Sequence, residues 1–208
     1  MALAQEIRNR TADFFVLSHH DESHSERVRS IALRIGKEEG ADLEVVEAAS
    51  LLHDIARAKE DRGEIPDHAE EGARIARSIL EESGCPEEKI ELVCRCIQVH
   101  RFRNGVSAES LEAKVLQDAD RLDVIGAIGL ARLFTRSGWE NVPIHDPMIP
   151  PKERYDGTSL TSVNHIYEKV LRIKETLHTA SAKRIAEDRH TFVEQFLRRL
   201  LKEWSGEI

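Results

Sequence analysis

The chain has 208 residues, 40% of them hydrophobic and 33% charged, with 30 basic against 38 acidic side chains for a net charge of −8. That suffices for one ordinary globular core, and it is too apolar, with charge too well mixed, for a disordered chain. The acidic balance argues against a nucleic-acid polymer as partner. No apolar stretch nears the roughly 18 residues of a membrane helix, and Met1 to Ile7 lacks the order of a signal peptide, so a cytoplasmic protein with no membrane partner is expected. Cys85, Cys94 and Cys96 are an odd number without zinc-site spacing and read as reduced packing thiols.

The periodicity is helical from end to end. A first helix is expected over about Leu3 to Leu17. A second runs from Ser23 to Glu39, with Val28, Ile31, Ala32 and Ile35 on one face and a stop at Gly40. Asp42 caps a third, whose inner face is Val45, Ala49, Leu52 and Ala56. The charged segment Arg57 to Pro66 reads as a loop. Asp67 opens a fourth helix, and Asp67-x-x-Glu70 has the form of a capping box. Pro86 suits the first turn of a fifth, with Ile90, Val93 and Ile97 inward. A sixth, Ala108 to Arg136, is apolar nearly all round, as a helix in the centre of a domain is. The proline-rich stretch Gly138 to Ser159 reads as a long irregular loop, and Thr161 to Leu177 and Ser181 to Trp204 as a terminal pair. The fold class is therefore all-α: one domain over 1–208, its core at about 15–136, a loop at 137–160, and C-terminal helices at 161–205 folded onto the bundle.

Ten histidines are the unusual feature of the composition. His24 stands four residues before Val28, His53 four after Ala49, His68 seven before Ile75 and His100 three after Ile97. Residues three, four or seven apart share a helix face, so all four extend buried stripes at helix ends. His24 and His68 lie where the chain enters a helix, His53 and His100 where it leaves one, and antiparallel neighbours bring such ends together. Burying four imidazoles without partners would cost about 1–3 kcal/mol per unsatisfied group, which a shared metal or an anion would offset. Imidazole with carboxylate suits Mn, Co, Ni, Fe or Zn. The sixth helix adds Asp118, Asp120 and Asp123, of which Asp120 is in step with Val124, Ala127 and Ala131 and Asp118 is the weaker candidate.

His24, the doublet His53-Asp54 and Asp120 reproduce the H…HD…D signature, and the chain resembles the HD-domain metal-dependent phosphohydrolases over about residues 15–135. Its tail, His165 to Lys169 and Ala186 to Phe196, is similar to a bacterial subgroup that includes nucleotide pyrophosphohydrolases. The resemblance implies an HD-domain helical bundle with His24, His53, Asp54 and Asp120 as metal ligands. His68 and His100 match the extra histidines of an H…HD…H…H…D variant that holds two metals, with Asp54 bridging; with one metal they would meet substrate phosphate or water. His20 and Asp21 would act on protons or orient a ligand from behind, as would Asp118. Candidate phosphate-binding cations are Arg57, Lys59, Arg101, Arg103, Arg121 and Lys169.

The resemblance has departures. Arg57 stands where some HD enzymes carry an acidic residue, the Glu-Asp pair of guanosine-tetraphosphate hydrolases is displaced to Glu60-Asp61, and no GYP motif follows the doublet. These disfavour nucleoside monophosphatase, alarmone hydrolase and cyclic-di-GMP activities. The expected reaction is hydrolysis of a nucleotide or similar small phosphorylated metabolite by metal-activated water, with pyrophosphate release from a nucleoside triphosphate as the specific form. The alternatives are a silent HD ligand-binding module and a di-iron HD oxygenase. A homodimer, if formed, would use the first helix or the last pair.

Overall fold

The computed structural model describes residues 2–11, 22–101 and 107–208, and among them every regular element is a helix. The chain divides into two compact units, Met1–Asp120 and Arg121–Ile208.

The first unit holds α1 (Ala2–Thr11), α2 (Glu22–Glu39), α3 (Leu43–Leu52), α4 (Arg57–Asp61), α5 (His68–Glu82), α6 (Glu87–Val99) and most of α7 (Leu111–Leu122). Its middle is α3, which packs against α1, α2, α5 and α6 and buries Val45, Val46, Ala48, Ala49, Leu51 and Leu52. The helix ends follow local chemistry. Gly40, at φ +83°, closes α2 in a conformation open to glycine. The Asp42 carboxylate then accepts from the backbone N–H groups of Glu44 and Val45, and Asp67 from that of Ala69, so each caps the helix it precedes. Pro86 occupies the cap position rather than the first turn of α6. Glu70 accepts from Gln98 Nε2 on α6.

The segment after the His-Asp doublet is not all loop: Arg57–Asp61 forms α4, with the Arg57–Asp61 ion pair at 3.0 Å one turn apart and Gly63 at φ +73° beyond it. The long sixth helix is two, α7 and, in the second unit, α8 (Gly126–Trp139). Ile125 is extended and Gly126 sits at φ +82°, outside the helical region. The buried Asp123 carboxylate at the break takes a bond of 2.6 Å from Arg132 Nη1. Nor is α8 central, for Ala127, Ile128 and Ala131 are exposed.

In the second unit α8 and α9 (Ser162–Glu168) are followed by a 3-10 turn, Val170–Thr176, and by α10 (Ala180–Trp204), which packs on α8 and on that turn. The expected helix over 161–177 is thus a short α-helix and a 3-10 segment. The irregular stretch before it is fastened. Ser162 and Val163 donate backbone bonds to Pro143 and Ile144, Asn164 Nδ2 donates to the Ile149 carbonyl, and the buried Glu168 carboxylate accepts from the Lys152 N–H and Ser159 Oγ. No helix among the described residues is long and apolar enough to cross a membrane.

Candidate metal centre

The side chains singled out in the sequence meet inside the first unit. His24 comes from the first turn of α2, His53 and Asp54 from the turn closing α3, His68 from the first position of α5, His100 from the residue after α6, and Asp120 from the last turn of α7. All are buried except Asp120, which is partly exposed. The ring centroids of His24–His53, His53–His100 and His68–His100 are 5.3, 5.2 and 5.2 Å apart, with edges toward faces or tilted.

The potential donor atoms of these six side chains fall into two sets. One nitrogen or oxygen from each of His24, His53 and Asp120 lies within 4.8 Å of the others, and the same holds for Asp54, His68 and His100. Asp54 faces both. Its Oδ2 is 3.7 Å from His24 Nε2 and 3.7 Å from His53 Nε2, while its Oδ1 is 3.1 Å from His68 Nε2 and 3.6 Å from His100 Nε2. Asp120 Oδ1 closes the first set at 3.4 Å from His24 Nε2.

The partners of the ring nitrogens fix their tautomers. His53 Nδ1–H donates to the Ser50 carbonyl at 2.8 Å and His100 Nδ1–H to the Ile97 carbonyl at 2.6 Å, and His68 Nδ1–H donates to Glu60 Oε2 at 2.6 Å. In each neutral ring the Nε2 lone pair therefore points into the site. His53 Nε2 is buried there without a hydrogen-bond partner. The Nε2 atoms of His68 and His100 are 3.2 Å apart, so two lone pairs face each other unless a cation or a proton lies between them. A cluster of inward lone pairs around carboxylates fits a divalent metal.

The electrostatics differ from ring to ring. Burial, first, pushes His53 down to about 4, against the pull of Asp54, which keeps the ring neutral. Burial acts the same way on His100, but the hydrogen bond and charge of Asp54 outweigh it and hold that ring above its ordinary value. Desolvation opposes the Asp120 carboxylate, yet its hydrogen bond with His24 and the nearby His53 hold it below the usual carboxylate range.

The remaining candidates are placed as follows. Asp118 is fully buried on α7 but belongs to neither donor set. His20, Asp21 and Arg103 lie outside the described residues. Arg57 pairs with Asp61, Lys59 with Glu71 at 3.0 Å, and Arg101 with Glu60 and Asp67, each at 2.9 Å. Arg121 and Lys169 fall in the second unit, where Arg121 donates to the Thr176 carbonyl and meets His178, and Lys169 lies over the Tyr155 ring. Glu60, by contrast, was visible in the sequence only as part of a displaced acidic pair. Its signal was its place seven residues past His53, on a short helix that the charge pattern hid.

The HD-domain model matches residues 22–125, which contain both donor sets. The chain belongs to the HD-domain family. It is 35% identical to YpgQ of Bacillus subtilis over 193 residues, 91% of this chain and 86% of the other. Among solved structures, an HD-superfamily hydrolase from Bacillus thuringiensis superposes with a TM-score of 0.77 at 35% identity, covering 98% of this chain and 95% of that one. Bacillus subtilis YpgQ in complex with ADP gives 0.77 at 33% identity, covering 96% and 97%. HD domains bind divalent metals, and these neighbours support hydrolytic chemistry for this HD protein.

Proposed function

We propose that this HD protein is a metal-dependent phosphohydrolase acting on a nucleotide or a related small phosphorylated metabolite, and that it releases pyrophosphate from nucleoside triphosphates. The observation that carries the reading is the division of the Asp54 carboxylate between two sets of imidazoles. His24, His53, Asp54 and Asp120 would hold one divalent ion, and Asp54, His68 and His100 a second. Bound there, a divalent transition metal supplies a water acidic enough to serve as hydroxide near neutral pH and neutralises charge on phosphoryl oxygens. The protein's own part is preorganisation: the Nδ1 bonds of His53, His68 and His100 hold each ring in the orientation that presents Nε2. Arg57 and Lys59, on α4 just beyond the doublet, are the cations proposed to meet substrate phosphates. His20 and Asp21, just ahead of α2, are proposed to handle protons. The ADP bound by YpgQ supports a ligand with a nucleoside diphosphate moiety.

The test is hydrolysis of a nucleotide panel with Mn²⁺, Co²⁺, Ni²⁺ or Fe²⁺, products read by phosphorus NMR, for the wild type and Asp54→Ala. Metal-dependent turnover that disappears in Asp54→Ala is expected, and the product (pyrophosphate, inorganic phosphate or a nucleoside diphosphate) identifies the bond cut. Turnover that Asp54→Ala retains, or none with any metal, overturns the reading. Oxygen consumption by an iron-loaded sample would then point to an oxygenase, and nucleotide binding without turnover to a regulatory module.

A further inference from the structure

His68 is the one ligand candidate in the second donor set whose ring is held from outside its own helix. It occupies the first position of α5, where a backbone N–H has no carbonyl one turn back to bond. Glu60, eight residues earlier on α4, meets both needs at once. Its Oε2 accepts from the His68 backbone N–H at 2.7 Å and from His68 Nδ1–H at 2.6 Å. Glu60 is itself gripped by Arg101, whose Nη2 donates to Oε1 at 2.9 Å and whose Nη1 donates to Oε2 at 3.2 Å. Arg101 Nη1 also lies 2.9 Å from Oδ1 of Asp67, the residue that caps α5. The guanidinium is mostly buried, with its side chain 10% exposed. It follows directly on His100, the other imidazole of the set.

We infer that Glu60 and Arg101 are positioning residues for the second metal position: Arg101 orders Glu60, and Glu60 fixes the tautomer and orientation of His68 so that Nε2 is offered as the ligand. The inference rests on the reading that Asp54, His68 and His100 hold an ion. Three features of the arrangement support it. A carboxylate that accepts from both the ring and the backbone of one residue leaves that side chain a single orientation. A carboxylate on the outer ring nitrogen is the partner that fixes the tautomer and orientation of metal-ligating histidines in general. The fork of Arg101 joins α4, the α5 cap and the residue after α6 in one charge-assisted network, so the ring is referenced to three elements. The same engagement makes Arg101 an organiser of the site, its donors already directed to carboxylates.

The experiment has two independent readings on the wild type, Glu60→Gln and Glu60→Ala. In the metal-free protein, in mildly alkaline buffer, the ¹⁵N shifts of His68 report its tautomer. The Nδ1–H form is expected in the wild type and in Glu60→Gln, whose amide oxygen still accepts, and a mixture with the Nε2–H form in Glu60→Ala. Mn²⁺ titration followed by calorimetry reports the two positions. The weaker one is expected to lose about 10-fold in affinity in Glu60→Gln and up to about 100-fold in Glu60→Ala, with the stronger one unchanged. A wild-type His68 found as the Nε2–H tautomer overturns the inference without reference to metal. Two ions bound with unaltered affinities in Glu60→Ala overturn it while leaving the two-metal reading intact. Fewer than two ions bound by the wild type overturns that reading, and the role of Glu60 at a second ion falls with it.

Discussion

Asp54→Asn separates the two donor sets more sharply than any other change, because the amide has the shape of the carboxylate but not its charge. The geometry sets the magnitude. Both carboxylate oxygens face imidazole nitrogens at 3.1–3.7 Å, Oδ2 toward His24 and His53, Oδ1 toward His68 and His100. One elementary charge about 4 Å from a partner at an effective dielectric of about 20 contributes about 4 kcal/mol per unit charge, or about three orders of magnitude in affinity. The first set keeps His24, His53 and the anionic Asp120, so an ion there is expected to persist with affinity lowered by at least about 10³-fold. The second set keeps only two neutral imidazoles, and its ion is expected to be lost altogether. Metal content after desalting, together with the electron paramagnetic resonance of Mn²⁺-loaded protein, distinguishes the cases. The wild type should hold two ions whose spectrum shows spin coupling, and the variant at most one with a single-ion spectrum. The division of Asp54 between two positions would be refuted by a variant that keeps two ions at wild-type affinity, or one that loses both equally.

Three further outcomes are expected. Gly129→Ala places a Cβ 2.1 Å from the Val124 carbonyl oxygen, a backbone clash that must shift α8, so it should cost about 3 kcal/mol or more and lower Tm by at least about 6 °C in a calorimetric scan; an unchanged Tm would count against the break at 123–125. Bonds to Arg74 and Lys59 hold Glu71 down to about 2, so its contribution, under about 1 kcal/mol at this partly exposed site, is complete above the ordinary carboxylate pKa near 4.5 and is lost as pH falls from there toward 2; Glu71→Gln should flatten the denaturant midpoint across that window and nowhere else. Glu168→Ala leaves the Lys152 N–H without the acceptor it bonds at 2.8 Å and should cost about 1–3 kcal/mol locally, read as faster hydrogen exchange in residues 150–160 with little change in α2 to α6.

The sequence made the helical class legible because a 3.6-residue period with Asp42, Asp67 and Gly40 at the ends leaves few other readings. Histidines at stripe ends identified the residues that gather, since a helix end is the one place where an inward polar group can face a neighbour's end rather than its core. What stayed hidden had local causes. Gly126 and Gly129 sat inside an apolar run, and their tolerance in a helix masked a break set by a left-handed φ and a close backbone approach. The charges of Arg57 to Asp61 looked like solvated loop because a helix this short carries no apolar stripe to reveal it.

The same geometry explains why Glu60 in particular is not legible in the sequence. A histidine just past the C-terminus of a helix has its acceptor supplied by the helix itself, because the last carbonyls are free of intrahelical partners. His53 and His100 both use it, each donating Nδ1–H to the carbonyl three residues back, Ser50 and Ile97, and so each is a complete ligand-presenting device in its own local sequence. A histidine at the first position of a helix meets the opposite polarity: it is surrounded by free N–H donors, and its ring needs an acceptor from elsewhere. For His68 that acceptor serves the ring and the backbone donor together, and Glu60 does so with one oxygen. The histidines that close helices, His53 and His100, are therefore complete in their own local sequence, whereas His68, which opens α5, is completed by an acidic residue on the short helix before it.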